Sequence, residues 1–259
     1  MTVAIENYIL LFFVSAVLGW IMEVTCKLFE FHRFINRGFL IGPYCPIYGV
    51  GAVVITATLT RYADSPVIVF IMAILICGTL EYLTSYAMEK LFHARWWDYS
   101  QRRWNINGRI CAVTLIPFGI LGLVMIYLVK PFLFRLFAQI PQPWMDGVCA
   151  VLVAVFLTDT VISTTILGKI RHTAELASGD STEAITHIVR EKLQARPLVR
   201  RTLRAFPYAQ VYNRRLLERI KRTRAEIKEE LQQKREGLRS DVEQWEQRMR
   251  ILKEKKTGK

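Results

Sequence analysis

Three carboxylates fall inside stretches of this chain that are apolar enough to cross a membrane: Glu23, Glu81 and Asp159. An ionised side chain at the centre of a bilayer costs about 2.5–3.5 kcal/mol on insertion scales, so such residues face a bundle interior or a water-filled cavity. Glu23 lies toward the C-terminal end of the first predicted span, and Glu81 about two turns before the end of the third. Asp159 is close to the middle of the fifth. Arg37 and Arg109 flank the same side and are natural partners. Two chemistries fit this set. One is a polar site or ion path. The other is a group of Glu–Arg pairs that clamps helices, which fixes geometry without adding much stability.

Two dense stretches must position these groups. The first, residues 36–51, reads NRGFLIGPYCPIYGVG. Pro43 and Pro46 each remove an N–H and restrict the residue before them. Gly38, Gly42 and Gly49 permit turns or a close approach of another backbone. Irregular backbone survives at membrane depth only when buried in protein or lining a cavity. The stretch, with Cys45 and Tyr48 inside it, therefore reads as a broken or re-entrant beginning, near 39–46, of a membrane helix packed inside a bundle. The second stretch, residues 95–109, reads RWWDYSQRRWNINGR. Trp96, Trp97, Tyr99 and Trp104 suit the membrane–water interface, where amphipathic rings collect. Asp98, Asn105, Asn107, Gly108 and Arg109 favour a defined turn. Together they predict a structured interfacial loop with hydrogen-bonding groups aimed at the bundle.

Several chemistries lack their residues. There is no G-x-x-x-x-G-K-[ST], so any ATP hydrolysis through a P-loop must come from elsewhere. There is no H-E-x-x-H and no G-x-S-x-G. The four histidines (His32, His93, His172, His187) are far apart, and no nucleophile–base pair stands out. The five cysteines (Cys26, Cys45, Cys77, Cys111, Cys149) form no C-x-x-C and fall in or beside apolar runs. Each is expected to act as a small buried hydrophobe. The expectation is a chain that is not an enzyme and has no cofactor and no metal site. A lipid-handling enzyme using the carboxylates is a lesser alternative.

The elements themselves are legible from the apolar runs. With 52% hydrophobic residues in 259, five segments approach the ~20 residues needed to span hydrocarbon. They are 7–28, 44–61, 66–88, 110–130 and 144–168. Only Arg61 to Ser65 separates the second from the third, so those two form an antiparallel hairpin. Glu23 interrupts the first run, and no basic stretch precedes it, so this helix is expected to stay rather than be cleaved as a signal peptide. The predicted fold is all-α: a polytopic membrane helix bundle over 1–170, with five spans, followed by a basic cytoplasmic helical tail over 171–259.

Charge divides the same way. From Lys169 onward there are 24 Lys+Arg against 13 Asp+Glu, whereas residues 1–168 hold 11 and 9. The loops after the first and third spans carry Lys27, Arg33, Arg37, Lys90, Arg95, Arg102, Arg103 and Arg109, and the opposite side only Arg61, Lys130 and Arg135. This asymmetry puts the N-terminus outside and the tail in the cytoplasm. In the tail, Asp180 and Glu183 resemble a helix N-cap pair, and Ile185, Ile188, Val189 and Leu193 share one face. Residues 211–256 read as a long charged helix with a coiled-coil-like seam through Leu217, Ile220, Ile227, Leu231 and Leu238. Charged seam residues favour weak self-association or packing on a partner. Anionic lipid headgroups are the expected ligand of the basic charge, and nucleic acid is not expected.

The segments N-R-G-F-L-I-G-P-Y-C-P-I-Y-G-V-G-A at 36–52, E-Y at 81–82 and R-W-W-D-Y-S with N-I-N-G-R at 95–109 resemble the putative ABC-transporter type IV permease family. This is a bacterial group of small integral membrane proteins, and the resemblance covers roughly residues 8–165. It implies a multi-pass protein of the bacterial inner (plasma) membrane, with a shared polar core drawn from Glu23, Arg37, Gly38, Gly42, Pro43, Cys45, Pro46, Tyr48, Gly49, Glu81, Trp97, Asp98, Tyr99, Asn107, Gly108 and Arg109. Asp159 is nominated only by its depth in the membrane. The implied function is a transporter permease component of unknown substrate, working as a homo-oligomer with a separate cytoplasmic ATPase subunit. The competing expectation is a non-transporting membrane scaffold or regulator whose tail recruits partners or anionic lipid.

Overall fold

In a computed structural model, the described residues are 3–32, 34–36, 38–176 and 182–193, with isolated positions between 198 and 234. The chain divides into two compact units, Met1–Asn213 and Arg214–Lys259, and everything below belongs to the first. Arg37, Asp180 and almost all of the predicted helix over 211–256 lie outside the described residues.

Six helices are described: α1 (Val3–Phe31), α2 (Pro46–Leu59), α3 (Pro66–Phe92), α4 (Ala112–Phe137), α5 (Gln142–Leu176) and α6 (Thr182–Leu193). Four of them, α1, α3, α4 and α5, are long and apolar enough to cross a membrane. In the most apolar window of α4 only 17% is buried, and in those of α3 and α5 22%. Helices that present apolar side chains on nearly every side belong in hydrocarbon. The chain is therefore a multi-pass membrane protein.

The second predicted span takes a different form. Its helix, α2, has 14 residues, about 21 Å of rise, against the ~20 residues of a full span. Pro46 occupies the first helical position, where its missing N–H costs nothing. Cys45 before it is extended, with φ −114° and ψ 101°, as a residue preceding proline prefers. A short 3₁₀ turn over Thr60–Tyr62 follows, and α3 begins four residues later. Gly51 faces Leu80, while Ile55 and Leu59 pack with Val69 and Ala73. These pairings make α2 and α3 the expected antiparallel hairpin.

Small residues bring the other helices together. A Cβ at Gly49 would sit 2.6 Å from the Phe12 carbonyl oxygen, so only glycine lets α2 lie this close to α1. Gly78 and Gly122 face Leu115 and Ala73 across the α3–α4 seam. A wide π-helical turn, Met125–Val129, interrupts α4. It lies just before Pro131, whose absent N–H breaks the regular ladder. Helices α1 and α5 run in the same direction. Glu6 accepts from Gln142 Nε2 at 2.6 Å near their first turns, and Phe12 and Phe13 meet Phe156 further along.

Beyond α3 and α5 the chain is less regular. Four two-residue strands form two ladders: β1 (Ala94–Arg95) with β4 (Gln210–Val211), and β2 (Asn105–Ile106) with β3 (Ile110–Cys111). Both are antiparallel, and neither was expected from the apolar pattern. In α6, Ile185 and Val189 are fully buried, as their shared face predicts. The Val211 N–H donates to Thr186 Oγ1 at 3.1 Å, joining β4 to α6. All five cysteines are unbridged. Cys45, Cys111 and Cys149 are buried as expected, Cys77 is half-buried, and Cys26 is exposed on the outward side of α1.

Candidate functional site

The loop between α3 and α4 is built around Asn107–Gly108. Both residues have positive φ, 54° and 68°, and the Arg109 N–H donates to the Ile106 carbonyl at 3.0 Å. This is the two-residue hairpin turn for which Asn-Gly is best suited, and it sets the β2–β3 register. Asn107 Nδ2 also donates to the Tyr82 hydroxyl on α3, 2.9 Å away. The Trp97 indole N–H donates to the Arg109 carbonyl at 3.0 Å, while Trp96 is buried. Only Trp104, 84% exposed, sits as a free interfacial ring would.

The turn delivers Arg109 into a buried ion cluster on α3. Arg109 Nη1 donates to Glu89 Oε2 at 2.9 Å and reaches Ser85 Oγ at 3.4 Å. Its guanidinium lies over the rings of Tyr82 and Tyr86, 5.7 and 5.4 Å from their centroids. Arg95, also buried, donates from Nε to the same Glu89 oxygen at 3.1 Å and from Nη1 to Asp98 at 3.3 Å. Burial pushes the Asp98 carboxyl up, but hydrogen bonds from Ser100 and the charge of Arg95 outweigh it, leaving it below the usual aspartate value.

A second centre forms where the segment before α2 meets α5. Asp159 Oδ1 accepts from the Ile41 N–H at 2.9 Å and from Ser163 Oγ at 2.8 Å. Oδ2 accepts from the Gly42 N–H at 2.8 Å and from the Tyr44 hydroxyl at 2.5 Å. Four donors occupy the roughly four acceptor directions of one carboxylate. The same segment is tied to α1, because the Cys45 N–H donates to the Ala16 carbonyl at 2.9 Å. Ala16 stands 15 residues before the end of α1, about 22 Å along the helix. Leu40, Ala16 and Tyr44 form a buried apolar cluster there. From the chain after α6, Arg201 Nη2 donates to the Ile41 carbonyl at 3.1 Å. Burial pulls its guanidinium down from the ordinary arginine value, and the Asp159 charge opposes that shift.

The third centre holds the other two carboxylates. Tyr48, in the first turn of α2, donates its hydroxyl to Glu23 Oε1 at 2.7 Å. Glu81 is 8% exposed, and its Oε1 accepts from the Tyr99 hydroxyl across 3.5 Å. Its Oε2 has no hydrogen-bond partner among the described residues. Glu23, Tyr48 and Tyr99 all lie within electrostatic reach of Glu81. Burial, with the Glu81 charge behind it, pushes the Tyr99 phenol above its ordinary value. Tyr48 brings the first turn of α2, the positive end of its dipole, into contact with this centre through its side chain.

The nominated residues thus fall into three groups. Glu23, Tyr48, Glu81 and Tyr99 come together; Gly42 and the segment from Gly38 through Pro43, Cys45 and Pro46 join Asp159; Asp98, Asn107, Trp97 and Arg109 form the interfacial cluster. Arg109 does not meet any of the three membrane carboxylates, because the hairpin aims it at the last turns of α3. Among the described residues, its partner is Glu89. Sequence reasoning passed over Glu89, Arg95, Tyr44, Ser163 and Arg201. The Tyr44 signal was there, in its place between Pro43 and Cys45. A groove of ≈490 Å³ between α1, α2 and α5 is lined by apolar side chains such as Phe12, Val53 and Phe156 and contains none of these polar groups. No group of three or more metal-ligating side chains occurs among the described residues.

No curated protein and no solved structure matches the chain. Residues 10–164 match the family described as putative ABC-transporter type IV. That stretch contains all three polar centres except Arg201, and it covers more than half of the sequence. The chain belongs to the putative ABC-transporter type IV family.

Proposed function

We propose that this chain is a transporter permease component whose polar site lies on the cytoplasmic side of the bundle, at Glu23, Tyr48, Glu81 and Tyr99. The observation that carries the reading is the non-helical segment from Gly38 to Cys45, buried at Gly38, Leu40, Tyr44 and Cys45 and tied to Ala16 midway along α1 and to Asp159. Followed by the half-length α2, it makes a fifth crossing that is half irregular backbone and half helix. Transporters build substrate sites from such broken helices, with the positive half-helix N-terminus aimed at anionic groups. Here that end meets Glu23 through Tyr48. With five crossings, the basic loops and the tail fall in the cytoplasm of a bacterial cell and the N-terminus outside. Catalysis is not ascribed to the chain itself. ATP hydrolysis belongs to a separate subunit docking on the 89–109 loop and the tail, and five crossings imply a homo-oligomer.

The test is crosslinking and recovery from native membranes of the full-length protein beside a version ending at Asn213. Recovery of a cytoplasmic ATPase with full-length protein supports the permease reading, and its loss on truncation assigns the dock to the second unit. Recovery of the chain with itself alone, or with unrelated membrane proteins, favours a second reading. In that reading the protein is a non-transporting scaffold or regulator whose tail recruits partners or anionic lipid. Its support is the saturation of Asp159 by four donors and of Glu89 by two arginines, polar groups used to hold loops in place.

A further inference from the structure

We propose that Glu81 is a reversible proton-binding site, neutral at resting pH, which exchanges its proton with the interfacial layer beside Tyr99. The inference deepens the polar site above by naming the proton as its ligand, and it rests on that reading only for its use in transport.

The argument starts from donor supply. An ionised carboxylate at this depth needs donors or a cation to replace lost hydration. Glu81 is 8% exposed. It has one donor, the Tyr99 hydroxyl at 3.5 Å, and an Oε2 with no partner among the described residues. Next comes the charge of its surroundings. From α1 it faces Glu23, from the start of α2 Tyr48, from its own helix Cys77, and from the loop Tyr99, behind which lies Cys111. Each of these is either neutral or negative at neutral pH. Arg109, which reaches Ser85 one turn along the helix, is engaged by Glu89. An anion at Glu81 would thus face another carboxylate with little solvation. Taking one proton from interfacial water onto Oε2 removes that charge and gives the orphaned atom an O–H.

Infrared difference spectroscopy on the full chain in lipid bilayers tests this. At neutral pH a protonated-carboxyl C=O band is expected, shifted by deuterium exchange and lost reversibly as the pH is raised. Glu81→Gln should remove the band. Tyr99→Phe, which takes away the one donor to the ionised form among the described residues, should move the midpoint upward, and Glu23→Gln should move it downward. These two shifts keep the test decisive if Glu81→Gln fails to fold. Absence of the band at neutral pH, its persistence in Glu81→Gln, or its absence at every pH in Glu23→Gln would overturn the proposal. None of these readouts depends on recovering an ATPase, so a failed permease reading would leave this one standing and the reverse.

Discussion

Asp159 and Glu81 are both acidic, both 8% exposed and both set in long apolar helices, yet the protein treats them oppositely. Asp159 receives four hydrogen bonds from two separate parts of the chain: the segment before α2, through Ile41, Gly42 and Tyr44, and its own helix at Ser163. Glu81 receives one long contact and keeps a bare oxygen. Burial alone therefore does not say what a membrane carboxylate does. The count of donors separates them. A saturated carboxylate is an acceptor that organises backbone, whereas an undersupplied one is poised to hold or release a proton.

The widest gap between the two should appear on replacement. Asp159→Ala strands two backbone N–H groups and two hydroxyls in a buried place. It is expected to cost on the order of 3–5 kcal/mol, read as a large drop in thermal unfolding temperature in detergent. Glu81→Gln copies the shape of a neutral acid and is expected to cost less than about 1 kcal/mol. If both changes destabilised equally, the contrast between a clasp and a proton site would fail. If Asp159→Asn recovered most of the loss, the acceptor geometry rather than the charge would be what holds the segment.

The sequence makes one side of this contrast visible and hides the other. Apolar runs mark α1, α3, α4 and α5, and Pro43 with Pro46 marks the irregular start of α2, because hydropathy and proline chemistry act locally. Asn107–Gly108 announces a turn for the same reason, although two-residue strands are too short to show a period. Three of the four partners of Asp159 stand 115 to 118 positions away and are chosen by how helices pack. Nothing local in the sequence joins Ile41 to Asp159. Glu89 sits among charged residues at the end of α3 and reads as solvated until the hairpin delivers Arg109 to it. The β1–β4 ladder and the Arg201–Ile41 contact depend on a return of the chain across 115 to 160 residues, which composition does not encode. That Glu81 lies in a long apolar helix is legible, but its missing donor is not.

Two intermediate effects sharpen the comparison by loosening the supports of each centre. Gly49→Ala puts a Cβ 2.6 Å from the Phe12 carbonyl oxygen, which forces α2 away from α1. The expected cost is about 1–3 kcal/mol. The displaced Tyr48 should also shift the Glu81 titration midpoint while leaving the Asp159 clasp in place. Arg109→Lys keeps the charge but loses the planar guanidinium over Tyr82 and Tyr86. A loss of about 1 kcal/mol is expected, measured by unfolding, with the Glu81 midpoint unchanged because Arg109 belongs to Glu89. A large movement of that midpoint would mean that the two centres are one.

The smallest effect repeats the contrast inside the interfacial loop, at neighbouring residues. Asp98 resembles Asp159: donors from Ser100 and Arg95 outweigh burial and hold its carboxyl below the ordinary value. Its contribution to stability is therefore present above the unfolded aspartate pKa, about 3.9, and is lost as pH falls through the lowered folded value. Tyr99 resembles Glu81: burial dominates and raises the phenol. Its contribution is fully present below the unfolded tyrosine pKa of about 10 and is lost as pH rises through the higher folded value. Melting temperature against pH should thus fall at both extremes, with the acid limb flattened by Asp98→Asn and the alkaline limb by Tyr99→Phe. Each variant should leave the other limb alone. If Asp98→Asn flattened neither limb, hydrogen bonds in this loop would not be setting its charge states. The distinction drawn from donor count would then hold only in the buried bundle, where water cannot supply what the protein withholds.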